Sequence, residues 1–129
     1  IILGGAGFIG INIAKYLLEN KDYHITIADN LSRGKMDEYL LDIIDHENVS
    51  FIEADFTNSE SYLNLDTDYD YCYMLASVVG VNNTLKIPGE IIRINTSLIL
   101  NTLEYSSYVN MCRYIGFSAA SDNSSYIFI

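Results

Sequence analysis

Three glycines, Gly4, Gly7 and Gly10, stand three residues apart between an apolar run (1–3) and a run of helical character. Glycines so spaced suit a diphosphate. The first permits a tight turn, the second lets phosphates approach the backbone without a Cβ in the way, and the third lets a helix pack closely on a sheet. Main-chain N–H groups and the helix dipole at the start of that helix supply the attraction, with the Phe8 and Ile9 amides in its first turn. Asp29 lies 19 residues beyond Gly10, at the end of another apolar run. A carboxylate there accepts hydrogen bonds from a ribose diol and repels a 2′-phosphate, which points to NAD rather than NADP. Two alternatives stay open. Arg33 and Lys35 follow closely and suit a phosphate, and a strand-end Asp can simply cap a turn.

The elements that must position these residues follow from the apolar periodicity. The pattern predicts strands over 1–3, 24–29, 49–55, 69–77 and 113–119. Helical spacing predicts helices from Phe8 to Asn20, over 35–46, briefly over 57–65, and from Pro88 to about Tyr108. Asn20 reads as a C-cap, and Thr57 or Asn58 as the N-cap of the brief helix, with Glu60 in a capping-box position. Residues 78–86 read as an irregular connection and 121–125 as a loop. Alternating strands and helices make an α/β domain, a doubly wound parallel sheet covered on both faces. Ligands bind such sheets beyond the carboxyl ends of the strands.

Composition narrows the partners. The 129 residues suit one domain, and half of them are apolar. Seven Lys and Arg against seventeen Asp and Glu leave a net charge of −10, which disfavours nucleic acid and anionic lipid. No apolar stretch approaches the roughly 20 residues that span a bilayer. Cys72 and Cys112 match no metal spacing, and Cys72 reads as a small buried hydrophobe. His24 and His46 read as surface or strand-edge residues, so no metal site is expected. Two isolated thiols suit the cytoplasm.

Taken together, the motifs resemble the extended short-chain dehydrogenase/reductases, in particular the NAD-dependent nucleotide-sugar epimerases, dehydratases and decarboxylases. "GGAGFIG" (4–10) is similar to their glycine-rich fingerprint, and "DNLSRG" (29–34) to their adenosine-ribose loop, which includes Asn30, Leu31, Ser32 and Arg33. "IEADFTN" (52–58) resembles the segment in which Asp55 sits by the adenine and Phe56 helps to enclose it. "MLAS" (74–77) resembles the fourth-strand motif, with Leu75, Ala76 and Ser77 lining the nicotinamide side. "INTSLILNTLE" (94–104) resembles the following helix, with Asn95 at the family's Asn position. "RYIGFSAA" (113–120) resembles the fifth strand, which delivers a catalytic hydroxyl. Asn95 also has a reading of its own. It shares a helical face with Ile91 and Leu98, and its inward amide is expected to bond neighbouring backbone.

The resemblance implies a Rossmann fold, NAD as cofactor, a nucleotide-sugar substrate and transient hydride transfer between a sugar carbon and NAD. It also implies a homodimer through the long helix. Several positions depart from the family pattern. Leu3 replaces a Thr before the first glycine, and Met74 stands where His is common. Ser118 fits the first of two paired hydroxyl positions and Ala119 occupies the second, so Ser118, or Ser121 after a register shift, is the candidate to polarise the sugar oxygen. No Lys lies four residues after any of the eleven Tyr, so the family's Tyr-x-x-x-Lys is missing from this stretch. The chain is therefore expected to be the cofactor-binding part of a longer protein, with the substrate-binding portion elsewhere and little activity alone. A non-catalytic dinucleotide sensor and an NADP-dependent carbonyl reductase are the alternatives.

Overall fold

The computed structural model describes residues 1–33, 36–109, 113–117 and 126–128. Its strands are β1 (Ile2–Leu3), β2 (Ile25–Asp29), β3 (Val49–Glu53), β4 (Tyr71–Met74), β5 (Arg113–Phe117) and β6 (Tyr126–Phe128). Its helices are α1 (Phe8–Leu17), α2 (Glu38–Ile44), α3 (Val81–Lys86) and α4 (Pro88–Tyr108), with a 3-10 helix at Ser59–Asn64. The sheet order is β3-β2-β1-β4-β5-β6, parallel except for β6, which runs antiparallel to β5. The chain leaves β1 towards β2 on one side and later crosses to β4 on the other. The β1/β4 boundary is thus the switch point, where a crevice opens beyond the strand ends.

Strand geometry divides the core. Successive residues face opposite sides of a sheet. Leu3 and Ala28 join Phe56, Cys72, Met74, Leu98 and Tyr105 beneath α4. Ile2 and Ile27 join Ala14, Leu40 and Ile43 beneath α1 and α2. Cys72 is fully buried, as its apolar context predicts, and burial pushes its thiol up to about 12. His24 and His46 are exposed.

Local chemistry moves several boundaries. Helix α1 ends with Leu18 as its cap, and Asn20 instead accepts from the Asp22 N–H at 3.1 Å in the turn beyond. Helix α2 starts later than the periodicity suggests, because Asp37 caps it by accepting from Leu40 N–H at 3.1 Å. The brief helix over 57–65 is 3-10 and is capped by Asn58, which accepts from Glu60 N–H; the Thr57 N–H is held by Asp55 instead. The connection 78–86 is not wholly irregular, since Val81–Lys86 forms α3. Pro88 opens α4, where its missing N–H costs nothing.

Candidate functional site

At the end of β1 the chain turns sharply onto the sheet. Gly4 has φ +76°, and a Cβ there would lie 2.4 Å from the Ala76 nitrogen. Its N–H donates to Ala28 O at 2.7 Å, and Leu75 N–H donates to Leu3 O at 2.8 Å, so the turn is sewn to both neighbouring strands. Gly10 is equally constrained, but by the turn rather than the sheet, for a Cβ would meet Gly5 O at 2.4 Å. Gly7 differs from both. Its φ of −81° is open to any residue, and the nearest atom to an added Cβ is Gly4 O at 3.8 Å.

Gly7 is the N-cap of α1, and no side chain caps that helix or places an acid in its first turn. The first intrahelical bond runs from Ile11 N–H to Gly7 O at 3.0 Å, so the amides of Phe8, Ile9 and Gly10 precede the ladder. Phe8 and Ile9 are largely exposed, at 85% and 56%. An uncapped helix start with a bare approach is suited to receive an anion.

Asp29 closes the next edge. Its two carboxylate oxygens accept from Ala6 N–H at 3.0 Å and Leu31 N–H at 2.8 Å. One side chain therefore ties the glycine-rich turn to the loop after β2, and a carboxylate retains lone pairs for hydroxyl donors. Leu31 pays for this with the left-handed φ of +52°. Its side chain packs with the core under α1, whereas Asn30, Ser32 and Arg33 line the cleft. Asn30 accepts from Ser32 N–H at 3.0 Å.

The cleft, about 1470 Å³, gathers the ends of the four strands β1 to β4. Asp55 is exposed at its rim and accepts from Thr57 N–H at 2.9 Å, while Phe56 is buried and bounds the cleft from the core. Leu75, Ala76 and Ser77 follow β4 rather than belonging to it. Asn95 receives Val78 N–H at 2.8 Å and donates to Val78 O at 3.0 Å, fixing the backbone just past that stretch. Met74 is buried, with its sulfur 3.6 Å from the Thr102 hydroxyl. Ser118, Ala119 and Ser121 lie outside the described residues.

Lys15 and Tyr39 also line the cleft, the ammonium 5.6 Å from the ring centroid. Sequence reasoning missed both, because one Lys and one Tyr on separate amphipathic helices carry no spacing signal. Among the described residues no group of three His, Cys, Asp or Glu could hold a metal, and no helix is long and apolar enough to cross a membrane.

The chain is similar to known proteins in sequence and in fold. The chain is 32% identical over 117 residues to CDP-paratose 2-epimerase of Salmonella typhi, covering 86% of this chain and 34% of that protein. It is 31% identical over 104 residues to a UDP-N-acetyl-alpha-D-glucosaminuronate decarboxylase of Bacillus cytotoxicus, covering 81% and 31%. Among solved structures, the Bordetella bronchiseptica enzyme WbmF in complex with NAD+ superposes with a TM-score of 0.75 at 26% identity, over 95% of this chain and 39% of that one. The chain thus spans about a third of the length of such relatives. The model of the NAD dependent epimerase/dehydratase family matches residues 1–122, and the chain belongs to that family.

Proposed function

We propose that this chain holds NAD along the sheet edge, within an enzyme that modifies nucleotide sugars through transient oxidation of a sugar carbon. Gly7 carries the reading. Neither backbone conformation nor a neighbour among the described residues requires glycine there, so a ligand approaching the α1 start is what a Cβ would obstruct. Bound there, NAD supplies reversible hydride acceptance.

The residues fit that group. The Phe8, Ile9 and Gly10 amides hold the diphosphate, and Asp29 accepts from the adenosine ribose, with Asn30, Ser32 and Arg33 around it. Leu31 acts through its amide on Asp29. Asp55 and Phe56 bound the adenine. Leu75, Ala76 and Ser77 offer the nicotinamide side small or apolar surface, beside the backbone that Asn95 fixes. Ser118 polarises the sugar oxygen. Depending on what the carbons beside the oxidised one carry, the overall reaction is that of an isomerase or a lyase. The exposed apolar residues Ile92 and Leu100 of α4 support packing against a second copy of the chain, which sedimentation of the full-length protein checks. A buried thiol suits the cytoplasm, where we place the protein.

Calorimetry on the full-length protein tests the cofactor reading. NAD should bind at least about tenfold more tightly than NADP, a difference of about 1.4 kcal/mol. No heat with either dinucleotide overturns it. Turnover of a panel of nucleotide sugars, lost on Ser118→Ala, then identifies the substrate.

A further inference from the structure

Helix α4 grips the cleft at two points. Asn95 holds Val78 beyond β4. Asn101, six residues on, reaches the other end, where its Nδ2 donates to Phe56 O at 3.2 Å and Thr57 O at 2.9 Å. The neighbouring Thr102 hydroxyl lies 2.7 Å from the Tyr62 hydroxyl, and the Tyr62 ring meets Phe56 edge-on with centroids 5.0 Å apart. Two adjacent residues of one helix therefore fix the loop after β3, one through its carbonyls and one through its aromatic ring. That loop carries Asp55, whose carboxylate is exposed at the cleft rim. A single side-chain nitrogen makes both carbonyl bonds. Asp offers no donor in its place when ionised, and Ser offers only one.

We infer that Asn101 is a positioning residue for adenine recognition, holding the Asp55–Thr57 main chain so that the Asp55 carboxylate meets the amino edge of the purine. The inference rests on the dinucleotide reading above and adds to it a residue that does not itself touch the ligand.

The test uses full-length protein and two probes that differ only at that edge, NAD and nicotinamide hypoxanthine dinucleotide, in which a carbonyl replaces the amino group. An acceptor held in place favours the amino form. The parent should prefer NAD by about tenfold, and Asn101→Ala should bind NAD about tenfold more weakly with the preference reduced to about twofold. A general loss of folded protein lowers both affinities and leaves their ratio intact, so an unchanged ratio overturns the inference. Asn101→Ser, which keeps one donor, should give an intermediate ratio and serves if the alanine variant does not fold. If the parent binds neither dinucleotide, the functional reading fails rather than the role of Asn101.

Discussion

The two walls of the cleft are built from different materials. The wall after β1 and β2 is main chain, a turn with bare amides held by Gly4, Gly10 and the two-handed carboxylate of Asp29. The wall after β3 and β4 is held from outside the sheet, by the side-chain amides of Asn95 and Asn101 on α4. Where phosphate must be bound, the backbone itself is the binding group and any side chain obstructs it. Where flat rings must be accommodated, loops need only be held still, and a helix can do that at a distance.

Alanine replacements in the first wall should separate shape from binding most sharply. Gly4→Ala drives a Cβ into the Ala76 backbone at a left-handed φ, and should cost about 4 kcal/mol or prevent folding altogether. Gly7→Ala should leave unfolding within about 1 kcal/mol of the parent, because its backbone suits any residue and its surroundings are open. It should nevertheless weaken NAD about a hundredfold, or about 3 kcal/mol. Denaturant titration and calorimetry read the two effects. Equal losses of stability at both glycines would erase the distinction between them.

Asp29→Ala is the next largest. It removes the acceptor for both Ala6 and Leu31 N–H groups, so stability should fall by about 1–3 kcal/mol. NAD binding should weaken, and discrimination against NADP should relax. Unchanged binding of both dinucleotides would reduce Asp29 to a brace between loops.

The first wall was legible in the sequence because its constraints are local. Glycines at fixed spacing, a strand before and a helix after, and an acid at the next strand end leave few other structures. The alternation of strand and helix was legible too, since each short apolar run is followed by a segment of helical period, whereas the order of the strands in the sheet was not. The second wall was only half legible. Asn95 announced an inward amide through its face, shared with Ile91 and Leu98. Asn101 did not, because nothing in its neighbours tells that its amide reaches a loop 45 residues earlier in the chain. Likewise α3 was hidden, as "VNNTLK" has too few apolar positions to show a helical period. Leu31 shows what its place in the ribose loop did not tell: its φ is left-handed, its side chain packs with the core under α1, and its amide donates to Asp29.

Alkaline pH should distinguish the two sides of the sheet by the smallest margin. Cys72 lies in the core beneath the α4 wall, and burial lifts its thiol from an ordinary value near 9 to about 12. Because the folded value is the higher one, the thiol favours folding fully below about pH 9, and that contribution is lost as pH rises towards about 12. Between pH 8 and pH 10 the loss should amount to about 1 kcal/mol. Tyr105, also raised by burial, titrates on the same side and adds to the decline. Cys72→Ala removes the thiol's share while keeping that of Tyr105, so its unfolding free energy should fall less steeply with pH than the parent's. The phenol packed against the core under α1 and α2 is Tyr73, partly buried and likewise raised by burial, and it too lies on β4. Alkaline loosening, followed by amide hydrogen exchange, should therefore begin in β4 and α4, and an onset in β2 or α2 would reverse the assignment.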